Sequence, residues 1–112
     1  MAQPKASSKF ENIIQEYSAL AKVLGHPARI AILKSLMERN NQTCKELVMQ
    51  LPYSQSTVSQ HLYRLRNAGL VEGMNYKTAV IYAVHQDHLF RFNQMFHDVF
   101  GRKKDDKQLS LF

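Results

Sequence analysis

The chain has 112 residues, 45% of them hydrophobic, and a formal charge of +6. That length supports one compact domain with a modest core, and that hydrophobic content excludes a chain that stays unfolded. The single cysteine, Cys44, excludes an intrachain disulfide and an all-cysteine metal site, and the positive charge points to an acidic partner, nucleic acid before an anionic membrane.

Residues 1–7 are small and polar and are expected to form a loose N-terminal arm. The opening MAQPKASSKFENII lacks the unbroken apolar stretch and cleavage site of a signal peptide, and no apolar run is long enough to span a bilayer. The expected compartment is the cytoplasm, with no membrane partner. A folded domain is expected over residues 8–101 and a charged, flexible tail over residues 102–112.

Ser8 and Glu11 form an S-x-x-E capping box that predicts the first helix start. Phe10, Ile13, Ile14, Tyr17, Leu20, Ala21 and Leu24 then recur at helical spacing, and Gly25 is the expected stop. His26-Pro27 restarts the chain, with proline at the first helical position, where its missing N–H costs nothing. Ile30, Leu33, Leu36 and Met37 are the expected buried stripe of this second helix. Thr43 and Glu46 make a second capping box, and Leu47, Val48 and Leu51 face inward from a short third helix. After the Pro52-Tyr53 turn, Ser54 caps a fourth helix that runs to Asn67-Ala68 and stops at Gly69.

LVEGMNYKTAVIYAV changes the pattern. Its β-branched and aromatic residues flank a polar centre, Asn75 to Thr78, which predicts a two-stranded hairpin. Asp87 is the expected cap of a last helix, with Leu89, Phe92, Phe96 and Val99 in one stripe, widened by Phe90, Met95 and Phe100. The order helix–helix–helix–helix–hairpin–helix predicts a mainly α fold with a small β-hairpin wing, a winged helix-turn-helix.

On the fourth helix Val58, Leu62 and Leu65 fall together and face the core. The opposite side carries Ser56, Gln60, Tyr63, Arg64 and Asn67, with Ser59 on its flank. In a helix-turn-helix the second helix enters the major groove, and short side chains at its N-terminal end allow close approach. Gln60 suits a bidentate pair with adenine and Arg64 one with guanine. Ser54, Ser56 and Thr57 lie where free N–H groups favour phosphate. No Asp or Glu occurs between Glu46 and Glu72, so no carboxylate repels a DNA backbone there. Lys77, with Asn75 and Tyr76, suits a wing tip that touches backbone. The competing reading of these residues is an ordinary solvated helix face, or a winged helix that binds protein and does not read DNA; Tyr63 is the one sizeable apolar group for such a contact.

Nothing in the chain suggests an enzyme. The four glycines are scattered, so no phosphate-cradling loop exists, and Ser59 and His61 share a helix with no acid close in sequence.

The segments LAKVLGHPARIAILKSL and LPYSQSTVSQHLYRLRNAGLVEG make residues 15–100 resemble the ArsR/SmtB family of winged-helix repressors. The resemblance implies a homodimer paired through the first and last helices, here through Phe10, Ile13, Ile14, Tyr17, Leu89, Phe92, Phe96 and Val99. It implies a repressor on a palindromic operator that an effector releases, with Gln55, Ser56, Thr57, Ser59, Gln60 and His61 at the reading end of the recognition helix; His61 is read as either a helix-packing or a DNA-contacting residue, and His26 as a cap. Many members sense metals through a Cys-x-Cys pair at the start of the third helix. The matching positions here are Thr43 and Lys45, with Cys44 between them, and lysine is no ligand at neutral pH. A second family site on the last helix is matched only by His85, Asp87, His88, His97 and Asp98 out of register, with Gln86 and Phe100 where ligands belong. No metal and no cofactor is therefore expected. Cys44, at a helix start beside Lys45, is a candidate redox thiol, set against the reading of a small inert residue. The terminal QLSLF, Gln108 to Phe112, resembles the peptide by which bacterial proteins dock on the DNA polymerase sliding clamp, with Leu109, Leu111 and Phe112 as anchors.

Overall fold

The computed structural model describes residues 5–101. Most of the expected N-terminal arm and the whole QLSLF segment lie outside the described residues. The element order is α1 (Lys5–Val23), α2 (Pro27–Glu38), β1 (Gln42–Thr43), α3 (Cys44–Gln50), α4 (Gln55–Asn67), β2 (Val71–Tyr76), β3 (Ala79–Val84) and α5 (Gln86–Phe100). This is the winged helix-turn-helix, mainly α, with one strand more than the hairpin. β1 pairs antiparallel with β3, Gln42 opposite Tyr82 and Thr43 opposite Ile81, so the sheet order is β1-β3-β2. A two-residue strand carries no periodicity of its own, which is why its pairing is not legible along the chain.

Local chemistry sets most helix ends. The His26 ring nitrogen Nδ1 accepts from the Ala28 N–H at 3.1 Å, ahead of Pro27, and starts α2. Thr43 and Glu46 satisfy each other's backbone N–H groups at 3.1 and 3.0 Å, a complete capping box at α3. Ser54 Oγ accepts from the Thr57 N–H at 3.2 Å and starts α4. At the other end of α4, Gly69 takes a φ of +80°, while its N–H and that of Leu70 bond back to Arg66 and Leu65, each at 3.0 Å. That closing motif needs a left-handed residue and so favours glycine. Two starts differ from expectation. α1 begins at Lys5, so Ser8 lies inside it. The cap of α5 is His85, whose Nδ1 accepts from the His88 N–H at 3.2 Å, leaving Asp87 in the first turn.

The core lies between α2, α3, α4 and the base of the hairpin: Ile32, Leu33, Leu36, Leu47, Val58, Leu62, Leu65, Leu70, Val71 and Val84. Ile30 and Met37 are exposed, against expectation; α2 instead buries Ala28, Ile32 and Ser35 beside Leu33 and Leu36. The reason is polar. Gln42 is fully buried, and its Nε2 donates to the Ser35 and Arg39 carbonyls at 3.1 and 2.6 Å. Its Oε1 accepts from Gln50 Nε2 at 2.6 Å, and Ser35 Oγ donates to Gln50 Oε1 at 3.2 Å. Ser35 must face inward to join this network, and the helix turns Met37 outward. The network ties α2, β1 and α3 together, and so sets the first helix of the helix-turn-helix relative to the sheet.

Candidate nucleic-acid interface

α4 presents its core stripe and its polar face as the helical period requires. Val58, Leu62 and Leu65 are fully buried. Gln55, Ser56, Ser59, Gln60, Tyr63, Arg64 and Asn67 are all exposed. The hydroxyls of Ser54 and Thr57 are engaged with each other at 2.9 Å, so these residues shape the helix start, and Ser56 Oγ stands 3.2 Å from Ser54 Oγ. The helix carries no acid in its first turn and holds Arg64 and Arg66 in its last.

His61 departs from the pattern. It is only 9% exposed, on the inward side of α4. Its Nδ1 accepts from Arg29 Nε at 3.1 Å, and its ring lies 4.2 Å from that of His26. Burial first, then the charges of His26, Arg29 and Arg64, hold its pKa below the ordinary histidine value. This side chain joins α4 to α2, the helix-packing one of the two roles its position allows. Arg29, which also donates to the Val23 carbonyl at 2.8 Å, is the partner that sequence reasoning missed. Nothing in the periodicity of α2 marks it.

The two acids that bracket this stretch in sequence, Glu46 and Glu72, each lie beside a basic side chain. Glu46 accepts from Thr43 and pairs with Arg39 at 2.8 Å; the Thr43 N–H, ahead of Arg39, holds its carboxyl below the usual range. Glu72 lies 3.6 Å from His85 Nε2. At the wing tip, Tyr76 pairs with Ala79, which leaves Lys77 and Thr78 as the turn. Lys77 adopts a φ of +56° and holds its ammonium 5.4 Å from the Tyr76 ring. Asn75, Tyr76 and Lys77 are all exposed.

Cys44 sits in surroundings that work against the thiolate its helix position suggests. It is half-buried, its Sγ faces the Gln55 carbonyl at 3.9 Å, and burial pushes its pKa up. Desolvation disfavours the thiolate. Of the last-helix candidates, His85 caps α5 and His88 packs beside Gly69. Among the described residues no group of three or more His, Cys, Asp or Glu is placed to hold a metal ion.

The second surface lies between α1 and α5. Phe10, Ile13, Ile14, Phe96 and Val99 are exposed, and α5 has no buried residue. Ile14, Tyr17, Phe92 and Phe96 line a groove of about 280 Å³. Leu89 differs from the other expected interface residues, since it packs against the core of its own chain. Among the described residues no helix is long and apolar enough to cross a membrane.

Comparison with known proteins agrees with this geometry. The family model described as bacterial regulatory protein, arsR family, matches residues 26–73. The HTH-type transcriptional regulator YgaV of Escherichia coli is 31% identical over 84 residues, 75% of this chain and 79% of that protein. The HTH-type transcriptional repressor SmtB of Mycobacterium tuberculosis is 40% identical over 78 residues, 69% of this chain and 56% of that one. The solved structure of the transcriptional repressor BigR from Xylella fastidiosa superposes with a TM-score of 0.68 at 26% identity, covering 88% of this chain and 99% of that one.

Proposed function

Starting from a chain that belongs to the arsR family of bacterial regulatory proteins, a DNA-binding transcriptional regulator and not an enzyme, we propose that it is a repressor acting as a homodimer on an inverted-repeat operator. The observation that carries this reading is the exposed face of α4, where Gln60 and Arg64 lie on a helix with no acidic residue and Lys77 stands on the wing. α4 enters the major groove. Gln55, Ser56, Ser59, Tyr63 and Asn67 contact DNA around Gln60 and Arg64, and the start of α4 at Ser54 and Thr57 faces phosphate. The apolar faces of α1 and α5 pair with those of a second copy, burying Phe10, Ile13, Ile14, Tyr17, Phe92, Phe96 and Val99, and the two α4 helices then read half-sites about one helical turn apart. The protein works where the chromosome is, in the cytoplasm. Thr43 and Lys45 argue against release by a metal held in a Cys-x-Cys pair. Gln108 to Phe112 resembles a clamp-docking peptide, and binding of the synthetic tail to a sliding clamp tests that role.

The test is selection from random duplexes at near-physiological salt with thiols reduced. An enriched inverted repeat supports the reading. Salt-sensitive binding without enrichment reduces it to nonspecific DNA association, and no binding leaves a protein-interaction winged helix, with Tyr63, 65% exposed, as its contact. On the selected operator, Gln60→Ala or Arg64→Ala costs about 1–3 kcal/mol at one base position per half-site. Lys77→Ala weakens all sequences alike and lowers the salt slope by about one unit for each half-site.

A further inference from the structure

Arg66 lies in the last turn of α4, seven residues after Ser59, and so on the wing-side flank of the DNA-facing surface. Its guanidinium rests against the bare backbone of β2. A Cβ built on Gly73 would meet Arg66 Cζ and Nη1 at 3.1 Å, and Val80 Cγ1 at 3.1 Å. Gly73 sits in regular antiparallel pairing opposite Tyr82, a backbone that any residue adopts. Its missing side chain leaves room for the guanidinium and for the Val80 methyl alike.

Among the described residues the charge itself has no protein partner. Arg66 is exposed, and among the described residues the ion pairs join Arg39 to Glu46, His85 to Glu72 and Arg91 to Glu16. Glu72 is next to Gly73 in sequence but is directed to His85, because adjacent strand residues point to opposite faces. A guanidinium with its donors uncommitted, held at the junction of a recognition helix and a wing, matches phosphate geometry.

We propose that Arg66 binds the DNA phosphate lying between the groove entered by α4 and the position of the wing, and that Gly73 is glycine to let it reach there. This inference rests on the DNA-binding reading. Arg66 is a phosphate contact that spans the helix and the wing, and it carries no base preference.

Operator binding across a salt series tests it, with Arg66→Gln, Arg66→Lys and Gly73→Ala beside the wild type and thermal unfolding measured for each. Arg66→Gln is expected to weaken dimer binding at least tenfold, equally on operators altered at single bases, and to lower the salt slope by about 1.8, or about 0.9 for each half-site. Arg66→Lys keeps the slope while losing part of the affinity. Gly73→Ala keeps the charge but pushes the guanidinium aside, and weakens binding with little change in melting temperature. An Arg66→Gln protein with the wild-type slope, or one altered at a single base position, overturns the inference while operator binding stands. A lower melting temperature with an unchanged slope assigns Arg66 a structural role only. A wild-type protein that binds no duplex overturns the DNA-binding reading itself.

Discussion

Replacing His61 separates two accounts of α4. By sequence position His61 belongs to the DNA-reading end; in the fold it is 9% exposed and accepts from Arg29 Nε at 3.1 Å. His61→Ala strands a half-buried cationic donor and removes the ring beside His26. A hydrogen bond to a charged group contributes about 1.5–3 kcal/mol and a close ring pair about 0.5–1.5, so the loss is about 2–4 kcal/mol. For a chain of this size that lowers Tm by roughly 8–16 °C, at about 4 °C per kcal/mol and fixed protomer concentration. His61→Asn restores an acceptor near the Nδ1 position and recovers part of the loss. Base preference in operator selection stays unchanged for both. The pH dependence has a definite sign. The folded state holds His61 below the ordinary value of 6.5, so the unfolded chain binds its proton more readily. Its contribution is complete above pH 6.5 and is lost as pH falls from there through the folded value; His61→Asn flattens that part of the curve. A His61→Ala protein that melts within about 2 °C of wild type, on the same scale, and selects different bases would show that the side chain points to DNA and refute the reasoning.

Gln42→Leu removes the bonds to Ser35, Arg39 and Gln50, each contributing about 1 kcal/mol. Leucine regains part by apolar burial, so denaturant unfolding should show a net loss of about 2 kcal/mol, and wild-type stability would mean the network contributes nothing. Phe96→Asp places a carboxylate in the α1–α5 groove, and sedimentation should report a monomer with much weaker operator binding; an unchanged dimer would rule this groove out as the interface. At pH 7 Cys44 should alkylate more slowly than a free cysteine, because burial raises its pKa and lowers the thiolate fraction. A rate at or above the free thiol would restore the redox reading.

The features legible in the chain are those whose physics spans one turn. Ser54 and Thr57, Thr43 and Glu46, and His26 and Pro27 find each other within a few residues, so caps and stops are written locally. The 3.6-residue period likewise places Val58, Leu62 and Leu65 inward and Gln60 and Arg64 outward, and with them the face proposed to meet DNA. Other features depend on what the far side of the core supplies. His61 turns inward because Arg29, 32 residues away, needs an acceptor. β1 exists because β3 arrives beside it, and Asn40 Oδ1 accepts from the Val84 N–H across 44 residues. Ile30 and Met37 lose the core to Ala28, Ile32 and Ser35 because a buried glutamine needs Ser35. Gly73 looks like a weak spot in a strand until the Arg66 guanidinium is found against it. Sequence by itself determined the five helices, the hairpin, most of the helix ends and the polar face of α4, since those follow from residues close together in the chain. Only tertiary structure decided which polar side chains are consumed inside and which remain for a partner, since that depends on donors and acceptors brought together from distant parts of the chain.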